Sequence, residues 1–98
     1  MASVRQLKKD IDDKVFEIIS DCLLYLGLHP DKKADDIYGI IEDAVSLRND
    51  LIARVNNPEG KDNPKIVKKH YQAVTSDLNS GVDNLCHILS SLSAKKQN

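Results

Sequence analysis

From Val67 to Leu92 the chain places an apolar side chain at nearly every third or fourth position: Val67, Tyr71, Val74, Leu78, Val82, Leu85, Leu89 and Leu92. That is the period of an α-helix; a strand alternates its faces and would put half of these residues on the wrong side. A stripe of this length must be covered, so the rest of the chain has to supply partners for it. Asn63 followed by Pro64 reads as a cap with proline at the first helical position, which predicts a third helix over about 64–93. Ser80-Gly81 dents this helix rather than dividing it, although Gly81 costs about 1 kcal/mol relative to alanine.

Two further helices supply the cover. The first is expected over about 3–27: Ser3 and Gln6 have the spacing of a capping box, and Val4, Leu7, Ile11, Val15, Ile18, Cys22 and Leu26 form one apolar face. Gly27 is expected to take the left-handed conformation that stops it, with Leu28 folding back and Pro30 preventing continuation. The second helix, about 32–56, carries two stripes: Ile37, Ile40, Ala44, Leu47, Leu51, and Tyr38, Ile41, Val45, Ile52, Val55. Two stripes imply two neighbours. The loop at 56–63, NNPEGKDNP, is rich in residues that set turns or end helices.

Ninety-eight residues make a single domain, 1–98, with one core. Short connections force antiparallel neighbours, so the fold class is all-α: an up-down-up three-helix bundle with a long third helix. At about 1.5 Å per residue the first two helices span roughly 36 Å and the third roughly 43 Å. The excess gives a modest overhang on a monomer, or, in the alternative, length shared in a homodimer.

Charge and composition exclude several classes. Lys plus Arg number 14 against 15 Asp plus Glu, and charged residues make up 30% of the chain, which is ordinary globular chemistry and too balanced for a generic nucleic-acid binder. No apolar run approaches the roughly 20 residues that cross a bilayer, and MASVRQLKKDIDD has no apolar run before its charges, so a cytoplasmic protein is expected. Cys22 and Cys86 interrupt apolar stripes at nearly one height of parallel helices; both are read as packed free thiols, since helix axes stand too far apart for an unstrained disulfide.

The candidate chemistry is sparse. "SLRNDLIARVNN", residues 46–57, begins like the Arg-polar motif of HEPN-type helical ribonucleases, but the positions five to seven after Arg48 hold Ala53, Arg54 and Val55 rather than histidine. Arg48 is instead expected to pair with Asp10, because antiparallel residues whose numbers sum to about 58 should lie level. His29, His70 and His87 lack metal-ligand spacing, and His70 is expected level with Leu51 near Asp50. No cofactor motif is present. One pattern goes against helix electrostatics: Arg5, Lys8 and Lys9 open the first helix and Lys65, Lys68 and Lys69 the third, where the dipole disfavours cations. With Lys61 they form a basic pole able to hold an anion, partly cancelled by Asp10, Asp12, Asp13, Asp50, Glu59 and Asp62.

"LKKDID", "IISDCLLYLGLHPDKK", "IIEDAVSLRNDLIARVNNPEGKDNPKIVKKHY" and "SGVDNL" together resemble a family of small all-helical proteins from Bacteroides-type bacteria, over nearly the whole chain. The resemblance implies a bacterial helical domain and no known activity. The expectation is therefore a non-catalytic interaction or structural module, whose partner is another protein or a second copy. Alternatives are an anion binder at the basic pole and a degenerate HEPN-like domain.

Overall fold

The structure, a computed structural model, describes residues 4–28, 34–58, 60 and 62–95. Three helices account for almost all of them: α1 Val4–Leu28, α2 Ala34–Asn56 and α3 Pro64–Lys95. They form an up-down-up bundle of 54 × 20 × 19 Å. There is no strand among the described residues. α2 packs extensively against both neighbours, while α1 and α3 touch least. α2 thus has the two neighbours that its two stripes imply.

The starts and stops follow local chemistry. Asn63 caps α3: its Oδ1 accepts the amide of Lys65 at 3.0 Å, and its carbonyl accepts the amides of Ile66 and Val67 at 3.1 and 3.0 Å. Pro64 loses nothing there, because its missing N–H would have had no partner. Gly60 has φ of 65° and its carbonyl accepts the Asn63 amide at 2.7 Å. A Cβ on Gly60 would stand 2.7 Å from that of Ile66, so the turn is folded tightly against the start of α3. α3 then runs unbroken through Gly81.

At the end of α1 the structure differs from the sequence expectation. The helix continues through Gly27, which is not left-handed, and Leu28 lies exposed instead of folding back. A left-handed glycine is only one way to satisfy the last carbonyls, and a Cβ at position 27 would meet nothing within 4 Å, so no close approach requires glycine there. Ser3 of the expected capping box lies outside the described residues; Gln6 donates to Asp10 Oδ1 at 2.8 Å.

The core has two adjoining parts. Leu7, Ile11, Leu51, Val55, Val74 and Leu78 fill the pole where α1 and α3 begin and α2 ends. Val15, Ile18, Cys22, Tyr25, Ile37, Ile40, Ala44, Leu85 and Leu92 fill the rest. Leu47 and Val82 pack on both. On α1 the buried aromatic is Tyr25, while Leu26 is only half-buried. The core positions step by three and four residues from Ile18 through Cys22 to Tyr25, and Leu26 falls about 100° off that line.

Candidate functional site

Arg48 is held as part of the scaffold. Its Nε donates to Asp12 Oδ1 at 2.8 Å and one terminal nitrogen donates to Asn49 Oδ1 at 3.2 Å. The partner is Asp12, not Asp10: level residues on α1 and α2 sum to about 60, half a helical turn from the expected register. Asp10 instead accepts from Gln6. Both members of the Arg48–Asp12 pair are about half exposed, so the bridge is worth at most about 1 kcal/mol.

The basic residues do come to one pole, because Leu7 of α1, Val55 of α2 and Val74 of α3 share a cluster. They do not converge there. Lys9 pairs with Asp13 at 3.1 Å, Lys8 is half-buried, and Arg5, Lys65 and Lys68 are exposed. Lys69 lines an open groove of about 400 Å³ with Arg54, Ile66, His70 and Ala73. Lys61 lies outside the described residues. The pole also holds the C-terminal end of α2, whose carbonyl dipole is negative. Two positive helix starts beside one negative helix end give the lysines a structural reason to be there.

His70 has a role that its sequence neighbourhood conceals. It does not pair with Asp50; its Nε2 donates to the backbone carbonyl of Arg54 at 2.6 Å, and its ring meets Tyr71 edge-on with centroids 5.6 Å apart. In a continuing helix that carbonyl would take the amide of residue 58. Residue 58 is proline and has none. The Asn57 amide reaches Arg54 O only at 3.3 Å, being shared with Ala53 O at 3.1 Å, so the imidazole supplies the missing donor. Across the same contact the Arg54 guanidinium holds Asp77 of α3 at 2.8 Å, and along its own helix it lies 3.8 Å from Asp50. Arg54 and His70 together tie the end of α2 to α3.

The cysteines are free but unlike. Cys22 is buried; Cys86 is exposed and is not the packed thiol expected, because Leu85 takes the core position beside it. Burial pushes the Cys22 thiol up, with Asp21 and Cys86 adding to the effect. Burial also raises Cys86, followed by Asp21, Asp83 and Glu17. Neither is poised as a thiolate nucleophile. Among the described residues no group of three His, Cys, Asp or Glu side chains could hold a metal ion, and no helix is long and apolar enough to cross a membrane.

What the sequence reading missed is an apolar face. On α1, Asp12, Phe16, Ile19 and Leu23 lie on one line at steps of four, three and four residues; on α2, Arg48, Val45, Ile41 and Tyr38 lie on one line running back at steps of three, four and three. The Asp12–Arg48 bond joins these two lines, so they run side by side along one seam. Phe16 is 69% exposed, Leu23 57%, Tyr38 53% and Val45 42%, with half-buried Ile19 and Ile41 between them. Glu17 and Asp21, which act on Cys86, mark the other flank of α1, where it meets α3. The exposed seam therefore looks away from α3. Tyr38, Ile41 and Val45 belong to the second stripe of α2 that the sequence expects to be covered; α1 covers only part of it. Phe16, Ile19 and Leu23 have helical spacing too, and that second stripe on α1 was the available signal.

Compared with protein-family models, with curated proteins and with solved structures, the chain finds no match in any of the three.

Proposed function

We propose that this bundle is a non-catalytic protein-interaction module that works through the α1/α2 seam. The observation that carries this reading is the exposure of Phe16, Leu23, Tyr38 and Val45 along two adjacent helices. Large apolar side chains gathered in one place on a small domain mark interaction surfaces more often than isolated ones do. The polar residues that first suggested chemistry are engaged in the scaffold, Arg48 with Asp12 and His70 with a backbone carbonyl. A bacterial, cytoplasmic setting belongs to the same reading and rests on the resemblance and the composition alone.

The test is a photoreactive residue placed at position 16 and, separately, at position 24. Protein adducts formed in bacterial lysate at 16 and not at 24 support the reading. Equal yields at both positions, or adducts to nucleic acid alone, count against it.

Anion binding at the basic pole is a second reading, favoured by one observation: Lys69 shares an open groove with Arg54 and His70. Two carboxylates, Asp50 and Asp77, already face Arg54 and reduce the field. The reading expects salt-sensitive binding of a polyanion that weakens when Lys65 and Lys68 are replaced by alanine, and titrations without that loss dismiss it.

A further inference from the structure

We infer that the occupant of the α1/α2 seam is a second copy of this chain, related by a two-fold axis running along the bundle. The inference rests on the interaction reading above and names its partner.

Register comes first. Because Arg48 meets Asp12, a residue of α1 lies level with the α2 residue that brings the sum to about 60. Phe16 is thus level with Val45, and Leu23 with Tyr38, each within one residue. A two-fold axis along the bundle lays α1 of one copy across α2 of the other without changing height. Phe16 then faces Val45 of the second copy, and Leu23 faces Tyr38, a large side chain against a smaller one at both levels. An isologous interface requires this self-complementarity.

The amount of surface is appropriate. At roughly 150–200 Å² for a whole side chain of this size, the four exposed residues leave about 400 Å² of apolar surface in water. A standard interface buries about 800 Å² per partner, of which homodimers make about 65% apolar, or roughly 520 Å². Ile19, Ile41 and the aliphatic stems along the rim can supply the difference.

Charge selects the orientation. Arg5 lies seven residues before Asp12, on the same line of α1, and is exposed. In the axial arrangement it meets the C-terminal end of the second copy's α2, where the helix dipole is negative. Glu42 borders the patch between Tyr38 and Val45, and there it is level with residues 18–19 of the second copy, next to the uncharged Ser20. A two-fold axis across the bundle would instead centre near residue 41 or 42 of α2 and set Glu42 beside its own symmetry mate, a like-charge contact. It would also slide the two copies along each other and lose overlap.

Sedimentation equilibrium tests this with the full chain. The wild type is expected at twice 10.9 kDa, dissociating on dilution. Phe16→Asp and Tyr38→Asp should each raise the dissociation constant at least tenfold while keeping the helical circular dichroism. Leu24→Asp serves as the control: Leu24 is 63% exposed but lies seven residues after Glu17, on the α3 flank, and this variant should remain dimeric. A wild type at 10.9 kDa up to several hundred micromolar overturns the inference, as does a dimer broken by Leu24→Asp and untouched by the other two. A monomer that still gives position-16 adducts to other proteins removes self-pairing and leaves the interaction reading standing; a monomer without such adducts removes both.

Discussion

Gly39 and Gly81 both occupy helix interiors, yet they have opposite reasons to be glycine. A Cβ on Gly39 would meet nothing within 4 Å, whereas one on Gly81 would meet both methyls of Leu47 at 2.7 and 3.0 Å and its branch carbon at 3.4 Å. Both methyls stand closer than a Cβ tolerates, and Leu47, packed against both core clusters, has little room to withdraw them. Gly39→Ala should therefore stabilise the fold by about 0.5–1 kcal/mol through helix propensity. Gly81→Ala should destabilise it, because overpacking of about 1–3 kcal/mol exceeds that gain. In a Leu47→Ala background the sign for Gly81→Ala should reverse. Urea unfolding of the four variants measures this, and an unchanged sign would show that the close approach is not what makes position 81 glycine. The cysteines give a second residue-scale prediction. Both thiols are raised, so alkylation at pH 8 should be slower than for a free cysteine, with Cys86 reacting first and buried Cys22 only on unfolding. A thiol raised in the folded state stabilises the fold fully below its unfolded pKa, and that contribution fades as pH climbs through the folded value. The wild type should thus lose stability above the ordinary thiol range more steeply than Cys22→Ala does, and parallel alkaline profiles would contradict the burial argument.

At the scale of the elements, α2 ends where a proline removes a donor and a histidine from the next helix restores it. His70→Ala leaves the Arg54 carbonyl with only the shared 3.3 Å contact from Asn57 and should cost about 1–2 kcal/mol. Pro58→Ala returns a backbone N–H at the position that would naturally serve Arg54, so His70→Ala should cost less than half as much in that background. Equal costs in both backgrounds would mean that His70 acts by packing on Tyr71 alone. This device shows where sequence reading succeeds and where it fails. The three helices were legible because periodicity is local and repeats: the expected bounds of 3–27, 32–56 and 64–93 stand beside the observed Val4–Leu28, Ala34–Asn56 and Pro64–Lys95. The Asn63 cap was legible because it acts on amides two to four residues away. The partner of His70 was not, since it lies sixteen positions back and is a main-chain atom that no side-chain pattern announces. Arg48 was correctly assigned to a salt bridge, but the partner depended on a register shift of two residues, finer than loop lengths can specify. Cys86 and Leu26 were misplaced for a related reason: beside a core position, about 100° of helix rotation separates burial from exposure.

For the whole molecule the question is whether a rod 54 Å long and about 20 Å thick unfolds as one body. Its core is divided into two clusters, and a slender bundle of this kind could in principle open at one end while the other persists. Two features oppose that. Each helix runs through both clusters, and Leu47 and Val82 pack on both, so neither end can lose its packing without loosening residues that the other end also uses. Leu51 is fully buried in the cluster at the basic pole, and Ile37 is fully buried in the other. Leu51→Ala should cost about 2–5 kcal/mol, as truncations of this kind do in close-packed cores. If the junction couples the clusters, amide exchange should accelerate by a similar factor around Leu51, Val55 and Val74 and around the distant Ile18, Ile37 and Leu85. If it does not, protection should fall only at the pole. Adding Leu47→Ala weakens the junction itself and should convert the first pattern toward the second, with the cluster containing Ile37 keeping its protection while the pole exchanges freely. Uniform acceleration in that double variant would place the coupling in the continuous helix backbones rather than in the two side chains at the waist.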